Sequence, residues 1–226
     1  FDIGFSYYNK KIHDKILKSL KIGGINFHPS YLPYNKGRHS VFWAINNKTP
    51  FGATAHWLDE NFDTGDILLR RKINFDNFEN AYVIYNEQIR LLRKIIIDSI
   101  ELIRNKKFIR IKQSKNTVDY HFAKDIKKKN IINLYKKISN SKLANLIRST
   151  SYNNKTGFYI KSKNNVYFIL SKYTVKKTKN RKKHLININE IFKDIENNVD
   201  RFKYKIYLDK FEININSKAK VIKSKD

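Results

Sequence analysis

Cysteine and methionine are both absent from the 226 residues; proline occurs 3 times and glycine 7 times. Without cysteine there can be no disulfide, no zinc–thiolate centre and no thiol nucleophile. Without methionine, and opening on Phe1-Asp2-Ile3-Gly4-Phe5-Ser6, which reads as a buried strand already under way, the chain is expected to be a piece of a longer protein. Acidic residues are scarce too: 20 Asp and Glu face 47 Lys and Arg, a net charge of +27. That excludes an acidic solvating protein and raises nucleic acid, a membrane surface or a phosphorylated small molecule as partners. Long apolar runs are missing. Ile95-Ile96-Ile97 ends at Asp98, far short of the roughly 18 residues a membrane span needs, and no signal-peptide pattern is present. What the chain does have is 41% hydrophobic and 14% aromatic residues, enough to bury a core.

The charge is unevenly spread. Residues 1–104 hold 15 basic and 11 acidic side chains, a net of +4, and residues 105–226 hold 32 and 9, a net of +23. The densest runs are Lys127-Lys128-Lys129 and the stretch from Lys176 to Lys183. A composition rich in Lys, Asn and Ile is what a codon bias produces, and a charge run is ordinarily a solvated surface. A patch that faces polyphosphate is the competing reading.

Periodicity divides the chain. Helical spacing of Ile12, Ile16, Leu17 and Leu20 predicts a helix over 11–20, ended by Gly23-Gly24. Ile25 to His28 reads as a strand stopped by Pro29, then a loop over 29–39. A helix over 40–46, strands over 52–58 and 67–73, and a long helix over 80–105 follow. In that helix Ala81, Ile84, Ile89, Leu92, Ile96, Ile100 and Ile103 recur on one face. This order is an α/β core. Beyond it, Thr117–Phe122 reads as a strand and Lys142–Ser149 as a helix capped by Ser141. Two hairpins follow, one around Asn164-Asn165 and one around Asp209-Lys210. The expected division is a catalytic core over 1–108 and a basic α+β region over 109–226.

One constellation carries chemistry. Asn26 and His28 stand at i and i+2 at a strand end, so both side chains point to one face, and ligands bind at the carboxyl ends of strands in open α/β sheets. Asp63 lies in Phe62-Asp63-Thr64-Gly65-Asp66, where Gly65 permits a tight turn. An amide, an imidazole and a carboxylate suit acyl transfer to an amine. Asn26 can donate to an oxyanion. His28 can donate to it as well, or take the amine proton. Asp63 can fix the His28 tautomer, raise its pKa, or take the proton through water. Singly, none is informative: a lone His is ordinarily structural, a lone Asn-x-His says nothing, and an Asp in a glycine-bearing loop is ordinarily a turn residue.

Taken in order, Asn26-Phe27-His28-Pro29-Ser30-Tyr31-Leu32-Pro33, Gly37, Gly52-Ala53-Thr54-Ala55-His56 and Asp63-Thr64-Gly65-Asp66-Ile67-Leu68 resemble the folate-dependent formyltransferase family. The resemblance implies a Rossmann-like parallel sheet of which the chain holds the C-terminal portion, with several βα units of the fold preceding Phe1. It also implies catalytic roles for Asn26, His28 and Asp63, N10-formyltetrahydrofolate as formyl donor, and no metal. The pterin would lie against loops matching Tyr7–Ile12 and Leu58–Asp63, which offer Tyr8, Lys11, Ile12, Leu58, Asp59 and Asn61.

The loop Leu32 to Ile45 lacks the Arg-Gly-Ala-Ala-Pro pattern of transformylases acting on methionyl-tRNA. Its Tyr34-Asn35-Lys36-Gly37-Arg38-His39 and Phe42-Trp43 resemble the branch that formylates nucleotide-linked amino sugars, a step of surface polysaccharide biosynthesis in the cytoplasm. On that resemblance Ser30, Tyr34, Lys36, Gly37 and Arg38 would contact the substrate, and Lys36, Arg38 and the basic C-terminal region would neutralise its phosphates. Tyr34, Trp43 and Tyr152 are candidates to stack on base or sugar, with core packing the plainer role for Trp43. The C-terminal region is a possible homodimer surface. The alternatives are methionyl-tRNA formylation, with the basic half as RNA surface, and an inactive or truncated relative that only binds.

Overall fold

The computed structural model describes residues 1–7, 10–75, 79–114, 120–126, 131–133, 139–151, 158–161, 166–177, 201–208 and 211–222. They belong to two compact units, residues 1–75 with 83–123, and residues 76–82 with 124–226. Residues 109–123, beyond the expected boundary at 108, fold with the first unit.

In chain order the first unit holds β1 (Ile3–Ser6), α1 (Asp14–Lys18), β2 (Gly23–His28), β3 (Lys36–Gly37), α2 (Ser40–Asn47), β4 (Phe51–Trp57) and β5 (Ile67–Ile73). Most of α3 (Ala81–Arg104) and then β6 (Tyr120–His121) follow. The main sheet runs β1-β2-β4-β5. β1 and β2 are parallel, whereas β2–β4 and β4–β5 are antiparallel, so the sheet is mixed where a parallel one was expected. The period-two pattern that identifies a strand fixes which residues share a face and carries no information on strand direction.

That face assignment decides the architecture. Ile25, Phe27, Ala53, Ala55, Trp57 and Leu68 form one cluster with Leu92 and Ile95 of α3. Burying each of the larger side chains contributes about 1.5–3 kcal/mol. Asn26, His28, Thr54 and His56 alternate with these residues and therefore take the other face, all buried. The register sets Asn26 opposite His56 and His28 opposite Thr54. One face of the sheet is a core and the other is a row of polar groups.

The buried residues of α3 are Ala81, Ile84, Gln88, Leu92, Ile95 and Ser99. The stripe passes through Ile95, and Ile100, expected inside, is 44% exposed. Gln88 occupies the position between Ile84 and Leu92, where its amide donates to the Pro29 and Gly52 carbonyls. The first helix is shorter than predicted. α1 begins after His13, whose Nδ1 accepts from the Lys15 N–H, and no residue of it is buried. Gly23-Gly24 opens β2 rather than closing that helix.

The second unit contains β7 (Ile131–Asn133), α4 (Asn140–Thr150), β8 (Phe158–Lys161), β9 (Val166–Lys177), β10 (Arg201–Leu208) and β11 (Phe211–Ile222). Its sheet runs β10-β11-β9-β8-β7. β8–β9 and β10–β11 are the two expected antiparallel pairs, and β7 adds a parallel strand with no forewarning in the sequence. The turns Asn164-Asn165 and Asp209-Lys210, the run Lys127-Lys128-Lys129 and Tyr152 lie outside the described residues. The N-cap of α4 is Ser139, whose Oγ accepts from the Lys142 N–H at 3.3 Å, rather than Ser141. Among the described residues no helix is long and apolar enough to cross a membrane.

Candidate active site

The polar face of β2 and β4 becomes a site because the loop after β5's predecessor strand folds over it. Asp63, in the turn between β4 and β5, adopts a left-handed φ of 58°. Its Oδ1 lies 3.3 Å from His28 Nδ1 and 3.6 Å from His56 Nε2. Its Oδ2 accepts the Gly37 N–H at 2.9 Å. Gly37 is required there: its φ is +85°, and a Cβ would stand 2.4 Å from the His121 carbonyl. The three groups singled out in the sequence are thus brought together, and a fourth joins them.

That fourth group is His56. Its Nδ1 is 2.9 Å from the Trp57 carbonyl, which can only accept, so Nδ1 carries the proton. In the neutral ring Nε2 then accepts from Asn26 Nδ2, 3.3 Å away. His56 therefore orients the Asn26 amide, whose Oδ1 is buried without a hydrogen-bond partner. The signal was available in Gly52-Ala53-Thr54-Ala55-His56: His56 ends the polar alternation on a strand next to β2.

Electrostatics follow from burial. Desolvation lowers the His28 pKa from its ordinary 6.5, with Asp63 and the Asn35 backbone opposing and His56 reinforcing the shift. His28 is therefore neutral at physiological pH. Nδ1 faces the carboxylate, and the buried Nε2 makes no hydrogen bond of normal geometry. Burial pushes the Asp63 carboxyl up, but the His28 imidazole, the nearby His56 ring and the Gly37 N–H outweigh it and hold the group at about 2.

The loop after β2 is clamped from several elements. The Thr54 hydroxyl donates to the Ser30 carbonyl at 2.7 Å and accepts the Leu32 N–H at 3.1 Å. Arg70 of β5 donates to the Leu32 carbonyl and covers the Tyr31 ring at 4.5 Å. Gln88 of α3 and the Ser40 hydroxyl both donate to the Pro29 carbonyl. These contacts hold the chain that follows His28.

A cavity of about 270 Å³ opens at this cluster, lined by Tyr7, Asn26, His28, Arg38, Asp63 and Tyr120 among others. Tyr120 reaches it because β6 pairs with β3 in parallel, setting Lys36 against Tyr120 and Gly37 against His121. Of the residues expected to meet a substrate, Gly37 and Arg38 line the cavity, whereas Ser30, Tyr34 and Lys36 do not. Ser30 is 0% exposed, enclosed by the Thr54 clamp. Trp43 is core: it is buried and stacks on His121 at 3.9 Å.

The expected donor-binding loops reach the cavity through neighbouring residues. Tyr7 and Phe62 line it, while Lys11, Ile12, Leu58, Asp59 and Asn61 do not, and Tyr8 lies outside the described residues. Lys11 pairs with Asp14 at 3.8 Å. Asp59 is spent inside its own loop, accepting from the Asn61 N–H and the Thr64 hydroxyl.

Comparison with known proteins gives this arrangement a context. Residues 5–100 match the formyl transferase family. GDP-perosamine N-formyltransferase of Brucella melitensis is 40% identical over 84 residues, 37% of this chain and 32% of that protein. Methionyl-tRNA formyltransferase of Methylacidiphilum infernorum is 35% identical over 122 residues, 54% of this chain and 38% of that protein. The chain therefore spans between about a third and two fifths of these relatives' length. Among solved structures, the formyltransferase PseJ of Anoxybacillus kamchatkensis, in complex with UDP-4,6-dideoxy-4-formamido-L-AltNAc and tetrahydrofolate, superposes with a TM-score of 0.51 at 32% identity, covering 56% of this chain and 66% of that one.

Proposed function

From the premise that this chain carries a formyl transferase domain over residues 5–100, we propose that it transfers a formyl group from N10-formyltetrahydrofolate to the amine of a nucleotide-linked amino sugar. The observation that carries the reading is the buried His28–Asp63 pair, with His28 Nε2 unpartnered in a cavity-lining residue. The sugar relatives support the choice of acceptor, and the tetrahydrofolate in the PseJ complex supports the donor. The aromatic rings of Tyr7, Phe62 and Tyr120 at the same cavity suit a flat heterocycle.

N10-formyltetrahydrofolate supplies the formyl carbon and departs as tetrahydrofolate. This chain's residues supply the rest. His28 Nε2, a neutral base, accepts the proton that the sugar amine sheds as its nitrogen bonds to that carbon. Asp63 holds the Nδ1–H and stabilises the imidazolium so formed. Asn26 keeps a second Nδ2–H beyond its bond to His56, available to the negative charge on the formyl oxygen. His28 returns the proton to the departing nitrogen, which balances the reaction. Arg38 at the cavity provides a cation for a phosphate. A place in surface polysaccharide biosynthesis, a cytoplasmic setting and a homodimer through the second unit belong to the same reading.

The test is a panel of nucleotide-linked amino sugars offered with N10-formyltetrahydrofolate, with formylated product read by mass spectrometry. Replacement of His28 or Asp63 by Ala is expected to reduce turnover by at least ~10². Turnover unaffected by both changes overturns the reading. Formylation of methionyl-tRNA instead would favour the second reading, for which the match to the methionyl-tRNA enzyme is the supporting observation.

A further inference from the structure

Asp63 has a left-handed φ of 58°, a region that Asp enters more readily than most residues with a Cβ but still sparsely. Within its turn, Thr64 and Asn61 bind Asp59, not Asp63. What grips Asp63 itself comes from elsewhere. Gln113 Nε2 donates to the Asp63 carbonyl at 3.0 Å and to the Gly65 carbonyl at 2.7 Å, spanning the turn on both sides of Thr64. The amide is delivered by an extended strap. Ile111 exchanges both backbone hydrogen bonds with Ile67, at 2.7 and 3.0 Å. Trp57 Nε1 donates to the Ile109 carbonyl, and the Arg110 guanidinium covers the Trp57 ring at 3.7 Å.

One detail separates a dedicated clasp from general packing. Gln113 Oε1 is buried with no hydrogen-bond partner. A buried amide that leaves its oxygen orphaned is a costly way to fill space, whereas an apolar side chain of the same length would deprive the Asp63 and Gly65 carbonyls of this donor. The position is explained by its two N–H donors, both of which are used.

We infer that Gln113 is a positioning residue that fixes the Asp63 carboxylate against His28 Nδ1 by clasping the carbonyls of Asp63 and Gly65. The inference rests on the formyl-transfer reading for its catalytic consequence, though not for its geometry. The clasp holds the turn; the turn holds the carboxylate; the carboxylate selects the Nδ1–H tautomer of His28 and leaves Nε2 as the base.

The experiment uses the chain without ligand and reads the His28 tautomer by long-range ¹H–¹⁵N NMR above neutral pH, beside steady-state turnover. In the unaltered protein His28 is expected in the Nδ1–H form. Gln113→Met keeps the length and removes both donors; Gln113→Glu keeps the shape and sets an anion against two carbonyls. Both are expected to shift His28 toward Nε2–H and to lower kcat by up to ~10², with KM changed by no more than about twofold. Arg110→Ala loosens the strap without touching the clasp and is expected to leave the tautomer as it was. An unshifted tautomer in both Gln113 variants overturns the inference, and so does an equal shift in Arg110→Ala. A shifted tautomer in a protein whose turnover ignores His28→Ala and Asp63→Ala upholds the clasp and overturns the formyl-transfer reading.

Discussion

In the proposed formyl transfer, His28 and Asp63 divide one proton's work between them because their surroundings push them in useful directions. Burial lowers the His28 pKa below 6.5, so a base acting through Nε2 stays deprotonated, and kcat/KM should hold until the pH falls below that ordinary value. Asp63 is among the groups that raise the His28 pKa. In Asp63→Asn the residual activity should therefore have its acidic limb displaced to still lower pH, as a pH–rate profile would register. Asp63 also carries a stability signature. Its folded value of about 2 lies below its ordinary 3.8, so the stabilisation is present above 3.8 and is lost as pH falls toward 2. Urea midpoints measured across that interval should fall less steeply in Asp63→Asn. His56 offers a third test. With His56→Phe, Asn26 Nδ2 loses its acceptor and the amide is free to turn, so kcat should drop about tenfold or more while KM changes little.

Among the elements, β5 was legible from Ile67 to Ile73 without error, and α3 to within a residue at either end, because apolar repetition over many residues leaves few alternatives. The trio Asn26, His28 and Asp63 was legible because two of its members share a strand and the third stands in a glycine-bearing turn. The strap Ile109–Gln113 was not. It forms one bridge to Ile67 and takes its order from the turn and from Trp57, contacts that no local pattern announces. Gln88 shows the same limit: a polar residue on the buried stripe of a helix reads as a flaw until Pro29 and Gly52 are seen to need its donors. Gln88→Leu should remove a donor from both carbonyls, leaving Pro29 with the Ser40 hydroxyl, and cost about 1–3 kcal/mol, read as a lowered melting temperature. Ile95→Ala, on the same stripe, should cost about 2–5 kcal/mol by leaving a cavity, yet spare KM. Comparing the two separates the loop clamp from plain core packing, since only Gln88 touches the carbonyl next to His28.

At the scale of the whole molecule, the charge asymmetry distinguishes the two candidate acceptors. The residues that build the site lie almost wholly in the stretch 1–104, with a net charge of +4, while 105–226 carries +23. A nucleotide-linked sugar would bring a diphosphate, and a cation such as Arg38, which lines the cavity, would meet it with few charges. Binding that neutralises so few charges should give a shallow dependence on salt, a slope of log affinity against log salt no steeper than about −2. A transfer RNA spread across the basic half would neutralise many phosphates, and its slope should be several times steeper. Equilibrium binding across a salt series, with the sugar nucleotide and with tRNA in parallel, therefore sorts the readings by mechanism rather than by strength. Weak tRNA association that disappears at physiological salt, beside sugar-nucleotide binding that persists there, would identify the +23 as a solvated, codon-driven surface. A tRNA affinity that survives, with formyl transfer to its aminoacyl end, would instead make the basic half part of the substrate site.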